Sequence, residues 1–289
     1  MKILLAVDGS RHARWAAELL ARLPLAAAPD IRPLTIVEHG VLTHPAIAPP
    51  LVTQPNREMK KQMASAKGLA TRTANRLRRR WTRVRPIVDN GPAAETILSR
   101  AADERADLIL MGSRGLSNVR AFLMGSVSHQ VATYAPCSVL ITKKNPSGLK
   151  RLLVAVDGSR GSDDVIRFVI AHLRPKDVEI TLAYVFHPDY IFTVPGAAIS
   201  DYLDDWLHDA YTRPLESAGF SVETACVQGH SAAKIIQLAA RRRVDLIVMG
   251  SRGLTGVKRW LLGSVSQQVV KYSPVSLLIV RGAVKDRKT

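Results

Sequence analysis

Residues 107–141, DLILMGSRGLSNVRAFLMGSVSHQVATYAPCSVLI, return without a gap at 245–279 as DLIVMGSRGLTGVKRWLLGSVSQQVVKYSPVSLLI. KILLAVDGSR at 2–11 returns as RLLVAVDGSR at 151–160, and Gly91 to Asp107 aligns gaplessly with Gly229 to Asp245. Self-similarity on this scale means two copies of one folding unit. The offset is 149 residues at the start of the repeat and 138 at its end, so the first copy carries extra residues in its middle. The proline-rich run HPAIAPPLVTQP at 44–55 is the place for them. The expected organisation is a first domain over 1–143 and a short linker over 144–150, with Pro146 and Gly148 as breakers. A second domain over 151–282 and a basic tail over 283–289 follow.

At 289 residues the chain suits two domains of about 145 residues each. Apolar residues make up 47% but aromatics only 5%, so both cores must be aliphatic, as in strands buried on both faces of a parallel sheet. Strands are expected near 2–7, 33–37, 83–88, 107–111 and 137–142, with helices near 11–22, 57–80, 93–105 and 126–134. In the second half strands fall near 151–156, 178–185, 221–227, 245–249 and 276–280. This alternation predicts an α/β protein of two tandem Rossmann-like domains, each a five-stranded, parallel, doubly wound sheet. Such sheets bind ligands beyond the carboxyl ends of their strands, at the switch point, which selects the loops after the first and fourth strands.

No run approaches 18 apolar residues, so no membrane span is expected. The apolar run of MKILLAVDGS is short and interrupted by Asp8, which argues a strand rather than a leader. The expectation is a cytoplasmic protein, with Cys137 and Cys226 as buried thiols in a reducing compartment. The net charge of +17 raises the question of nucleic acid. Much of the excess is arginine on predicted helix surfaces, at Arg76, Arg78, Arg79, Arg80 and Arg83 and from Arg241 to Arg243. No aromatic residues interleave with them and no nucleic-acid motif is present, so solvated helix faces are preferred and a polyanion-binding scaffold is kept as an alternative.

The selected loops carry unusual residues. After the fourth strand stands Gly112-Ser113-Arg114-Gly115, followed nine residues later by Gly125-Ser126. The second copy has Gly250-Ser251-Arg252-Gly253 and then Gly263-Ser264. Glycines allow positive φ and let the backbone approach an anion closely. Ser126 and Ser264 begin helices, where hydroxyl and free backbone N–H groups converge on phosphate oxygens, and Val127 and Val265 follow in the same turn. Asp8-Gly9-Ser10 and Asp157-Gly158-Ser159 end the first strand of each copy, where a carboxylate can accept hydrogen bonds from a ribose or an adenine amino group. Taken alone, each motif is explained by a turn and an N-cap; the same combination, in register and twice, is not. Arg114 and Arg252 read equally as charges beside a polyphosphate or as solvated loop residues.

At these residues the chain resembles the tandem universal stress proteins over nearly its whole length. The family's ATP-binding members carry G-x2-G-x9-G-[ST], matched by Gly112, Gly115, Gly125 and Ser126 and again by Gly250, Gly253, Gly263 and Ser264. Asp8 and Asp157 match the aspartate used at the adenosine. The resemblance implies a five-stranded, adenine nucleotide alpha hydrolase-like sheet, with domains paired along the fifth strand. It also implies a backbone contact to adenine from the end of the second strand, at Val185 in the second half and His39 in the first. The implied ligand is ATP, with or without Mg²⁺, in one site per domain of a stress-response regulator.

An enzyme is the less favoured reading. There is no G-x-x-x-x-G-K-[ST] and hence no phosphate-clamping lysine. Met111 and Met249 stand where a G-x-S-x-G elbow needs its first glycine. His12, His129 and His230 read as surface or capping residues, and no general base is evident. A slow ATPase or nucleotide-transfer activity on the same sites is the alternative. Finally, Cys137 to Thr142 and Ser276 to Arg281 each end a half as a short apolar strand with an unpaired edge. Their pairing within one chain gives a two-lobed pseudo-dimer; pairing between chains would give a homodimer.

Overall fold

The computed structural model describes residues 1–38, 57–116, 124–146, 148–186, 203–253 and 262–282. His39, the proline-rich run and the basic tail lie outside them. The first half runs β1 (Lys2–Ala6), α1 (Arg11–Arg22), β2 (Asp30–Val37), α2 (Arg57–Arg78), β3 (Arg83–Val84), β4 (Ile87–Asn90), α3 (Ala93–Asp103), β5 (Leu108–Gly112), α4 (Ser126–Tyr134) and β6 (Ser138–Thr142). The second runs β7 (Arg151–Val156), α5 (Arg160–His172), β8 (Glu179–Phe186), β9 (Ser221–Gln228), β10 (Leu246–Gly250) and β11 (Ser276–Val280), with helices over Ser231–Arg241 and Ser264–Tyr272 flanking β10.

These strands form a single sheet in the order β3-β2-β1-β5-β6-β11-β10-β7-β8-β9, with β4 continuing β3 alongside β2. Within each half every pairing is parallel. The halves join where β6 and β11 run antiparallel, with Leu140 opposite Leu278. Both halves reverse strand order between their first strand and the one before their last, β1 against β5 and β7 against β10. That crossing is where such a sheet opens a crevice.

Side chains alternate between two cores. Ile3 and Leu5 lie on the face covered by α1, α2 and α5; Leu4 and Ile109 lie on the face covered by α3, α4 and the helices over Ser231–Arg241 and Ser264–Tyr272. Every residue of β5, β6 and β11 is buried, which is why these strands read as unbroken apolar runs. The α1 helix starts at Ser10, whose hydroxyl accepts from the Ala13 N–H at 3.1 Å. It buries Ala13, Ala16, Ala17, Leu19 and Leu20 on one stripe.

Four features of the structure depart from the sequence expectations or lie beyond them. First, β2 begins at Asp30 rather than near 33. Arg32 is buried in it, paired with Asp30 and, at 3.3 Å, with Glu104, so charges that mask the strand pattern are internally satisfied. Second, the third strand of the first half is split. β2 pairs with β3 up to Ile31↔Val84 and with β4 from Leu34↔Ile87. Between these lie Pro33 and Pro86, neither of which has an N–H for the ladder. Third, the helical segment before β9 contains a wide turn at His208–Thr212, where the Arg213 N–H donates to the His208 carbonyl. Pro214 follows; its ring would press on the carbonyl four residues back, and the wider turn relieves that clash. Fourth, His12 is buried against the glycine loop rather than exposed, and Cys137 and Cys226 are only partly buried.

Candidate functional site

The loop after β1 is a tight turn with Gly9 at φ +82°, and Gly158 repeats it after β7 at φ +83°. In the first half one Asp8 oxygen accepts the Ser10 N–H at 2.9 Å. The other faces Gly115: a Cβ built there would stand 2.8 Å from Asp8 Oδ2. The turn after β1 and the glycine loop after β5 therefore meet with no room for a side chain between them.

The glycine loop is anchored at both ends. The Ser113 N–H donates to the Thr142 carbonyl at 2.9 Å, prolonging the β5–β6 ladder. The Gly125 N–H returns to the Ser113 carbonyl at 2.8 Å, and the Ser128 hydroxyl donates to the same carbonyl at 2.8 Å. Gly125 is the N-cap of α4 and Ser126 its first residue, so the unpaired first-turn amides of that helix open beside the loop. None of Gly112, Gly115, Gly125, Gly250, Gly253 or Gly263 takes a positive φ. That corrects one of the two reasons for glycine here. Four of them supply close approach instead, Gly112, Gly115, Gly250 and Gly253: Gly112 lies so near α1 that a Cβ would sit 2.6 Å from the His12 carbonyl carbon, whereas Gly125 and Gly263 leave ordinary van der Waals room.

Together these elements enclose a cleft of about 490 Å³ in the first half, lined among others by Asp8, Ile36, Glu38, Arg114, Gly115 and Ser126. Glu38 fixes its far wall by accepting the Ala93 N–H at the start of α3, at 3.0 Å. Thr35 also lines it, and its buried hydroxyl has no hydrogen-bond partner among the described residues. Leu116, 72% exposed, stands at the mouth.

The second half repeats the frame. The Ser251 N–H donates to the Val280 carbonyl at 2.9 Å, Gly263 N–H to the Ser251 carbonyl at 2.8 Å, and the Ser266 hydroxyl to the Gly250 carbonyl at 2.9 Å. A Cβ on Gly253 would run into Asp157 Oδ2. The surroundings of Asp157 differ, however. Its Oδ1 accepts both the Ser159 N–H, at 3.1 Å, and the Ser162 hydroxyl, at 2.9 Å. Trp206 lies over the turn, 3.3 Å from a Cβ built on Gly158, and packs edge-on against Tyr184 and Tyr211.

Cations gather where the two halves meet. Lys143, just past β6, donates to the Val270 carbonyl in the last turn of the helix Ser264–Tyr272. Arg281, just past β11, donates to the Ala132 and Thr133 carbonyls of α4 at 2.9 and 2.8 Å. Each half thus caps a helix of the other. Burial, and then Arg114, pull the Lys143 ammonium down to about 8. Burial, and then Arg252, pull Arg281 down to about 10. Burial, Arg114 and Arg11 hold His12 below its usual value against the opposing pull of Asp8. Arg114 thus acts on Lys143 and Arg252 on Arg281, so positive charge gathers beside both glycine loops.

A sequence model of the Universal stress protein family matches residues 1–143 and again 148–281. The chain belongs to the universal stress protein family. A Methanocaldococcus jannaschii universal stress protein is 28% identical over 144 residues, 47% of this chain and 85% of its own length. The crystal structure of an Archaeoglobus fulgidus universal stress protein superposes with a TM-score of 0.69 at 22% identity, covering 97% of this chain and 96% of that one, and supports the fold. A universal stress protein solved in complex with cAMP is 26% identical and covers 47% of this chain and 98% of its own, with a TM-score of 0.36. Among its described residues this universal stress protein has no helix long and apolar enough to cross a membrane.

Of the residues the sequence singled out in this universal stress protein, Asp8, Gly112, Arg114, Gly115, Gly125, Ser126 and Val127 line one cleft, and Ser113 anchors its loop. Asp157, Gly250, Ser251, Gly253 and Gly263 repeat the frame at the carboxyl ends of β7 and β10, with Arg252 in the loop and Ser264 and Val265 in the first turn of the helix Ser264–Tyr272. The second-strand contact needs correction. β1 pairs Ala6 with Leu34, and β7 pairs Ala155 with Ala183, so the residue matching Val185 is Ile36 and not His39. The constant offset of 149 through β2 carried this information. Ser128 and Ser266 were missed as loop anchors, although GSVS stands in both copies.

Proposed function

We propose that this universal stress protein binds ATP in the cleft of its first half and at the matching position of its second, and acts as a nucleotide-dependent stress-response regulator. The observation that carries the reading is the meeting of Asp8 with Gly115 beside the N-terminus of α4, repeated by Asp157 and Gly253. The arrangement suits the ligand. Gly112 and Gly115 let the loop lie against α1 and Asp8 with no side chain between them, and Gly125 caps α4 beside them. The first turn of α4 offers amide donors to phosphate oxygens, and Arg114 with Lys143 adds positive charge there. The cleft volume lies within the 300–1,000 Å³ or so usual for small-molecule sites. In this reading Asp8 takes the ribose or adenine end and Ile36 flanks the base.

Mass spectrometry of nucleotide released from freshly purified protein tests the reading, followed by competition among ATP, GTP and cAMP. ATP released from the protein, or bound in preference to GTP, supports it. Failure of all three nucleotides to bind overturns it.

A further inference from the structure

Eleven of the chain's lysines and arginines lie between Arg57 and Arg85, against one carboxylate, Glu58; this segment alone holds +10 of the net +17. All eleven are exposed. Among the described residues only two of them have carboxylate partners, Arg76 with Glu18 and Arg85 with Asp30. α2 buries Ala66, Ala70, Ala74 and Leu77. At about 100° per residue, Arg57, Lys61 and Arg72 fall within about 60° of one another on the opposite side, and Arg79 follows in the turn just past the last helical residue, Arg78. The three helical positions run along about 22 Å at 1.5 Å per residue. The corresponding helical segment of the second half, 203–217, is acidic, with Asp204, Asp205, Asp209 and Glu216 against Arg213. The basic face is therefore not a property of the repeat: it belongs to one end of the sheet.

We propose that the outer face of α2 docks on the phosphodiester backbone of double-stranded nucleic acid, independently of base sequence. A straight line of cations matches a polyanion with one charge per about 1.7 Å of axis. The face has no exposed aromatic residue on which bases could stack, and Trp81 beside it is buried, so it suits an intact duplex rather than an unstacked single strand. Among the described residues the large exposed hydrophobics, Leu116, Tyr134, Ile170 and Tyr272, all lie elsewhere, so α2 lacks the apolar face with which an amphipathic helix enters a membrane. A second copy of the chain is a poor match. The acidic segment has four carboxylates, one already paired with Arg213, to set against eleven cations.

Fluorescence anisotropy with the full chain and a labelled, mixed-sequence 24-base-pair duplex tests the proposal, using DNA and RNA versions between 50 and 200 mM NaCl. The expected result is salt-dependent binding to both. A triple variant, Lys61→Gln, Arg72→Gln and Arg79→Gln, should bind at least about tenfold more weakly at 50 mM and lose about 2–3 from the slope of log K against log salt. Arg174→Gln, Lys176→Gln and Arg241→Gln together remove the same charge elsewhere and should retain most of the affinity. Circular dichroism melts confirm that both variants remain folded. The proposal is overturned by absence of duplex binding at 50 mM salt, or by equal weakening in the two triple variants. It is also overturned if α2-dependent binding is seen only with phosphatidylserine-containing vesicles, or only as salt-sensitive self-association.

Discussion

Leu140 faces Leu278 across the antiparallel junction, and each occupies the other's position in the repeat, 138 residues apart. The pairings on either side, Val139 with Ile279 and Ile141 with Leu277, are related in the same way. A pseudo-twofold axis therefore passes between these two leucines. The same symmetry relates Lys143 to Arg281, and the Ser276 hydroxyl accepting the Lys143 N–H, at 3.1 Å, to the Ser138 hydroxyl accepting the Arg281 N–H, at 3.2 Å. The edge that each domain would expose alone is closed by its own duplicate.

Residues 1–145 expressed alone should consequently dimerise through β6, and Leu140→Lys in that fragment should abolish the dimer. Sedimentation equilibrium distinguishes the outcomes; a strictly monomeric wild-type fragment at high concentration would sink the edge-pairing account. In the full chain Leu140, 1% exposed, should cost about 2–5 kcal/mol as alanine in denaturant unfolding.

Two glycines of the loop should separate fold from binding. Gly112→Ala presses on α1 backbone, which cannot move aside, and should lower the melting temperature markedly. Gly115→Ala presses on the Asp8 carboxylate, which can turn away, so the fold should survive while ATP binding in the first half weakens by about tenfold or more, about 1.4 kcal/mol. Calorimetric titration of both variants checks this. Unaltered ATP affinity in Gly115→Ala/Gly253→Ala would mean that the loops are only turns.

The aspartates should behave unequally. Asp157 holds the start of α5 through Ser159 and Ser162, whereas Asp8 takes only the Ser10 N–H among the described hydrogen bonds. Asp157→Ala should therefore destabilise the chain by about 1–3 kcal/mol, and Asp8→Ala should chiefly reduce nucleotide affinity. Equal melting temperatures for the two variants would contradict the difference in wiring.

Lys143 gives a pH signature. Its folded value near 8 lies below the ordinary 10.5, so between those values the unfolded chain holds more protons and this residue's contribution to stability rises with pH. Below about pH 8 both states are protonated and the contribution is flat. Chemical denaturation from pH 7 to 10.5 should show the rise in wild type and a smaller one in Lys143→Met. Parallel pH profiles for the two proteins would rule out the shift.

The parts legible in the sequence were those governed by local pattern. The limits of α1, α4, β7 and β11 follow from caps, periodicity and turn residues. What was hidden depended on partners distant in sequence. The polar start of β2 makes sense only with Glu104 and Arg85 beside it. The break between β3 and β4 needs Pro33 and Pro86 in register, and the burial of His12 needs Gly112 against it. The match of Val185 to Ile36 emerges once strand pairing replaces a count along the loops. The glycine loops follow the fourth strand of each half as expected, but near them the positive φ belongs to Gly9 and Gly158, while Gly112, Gly115, Gly250 and Gly253 answer to crowding by neighbours distant in sequence.

Equilibrium titration of the purified, nucleotide-free chain with ATP, read by calorimetry and by melting temperature, tests the central claim most directly. The account predicts saturable binding, stronger for ATP than for GTP, with a stabilisation of about 2.7 kcal/mol per site at a hundredfold excess over Kd. No heat of binding and an unchanged melting temperature at saturating ATP would contradict it.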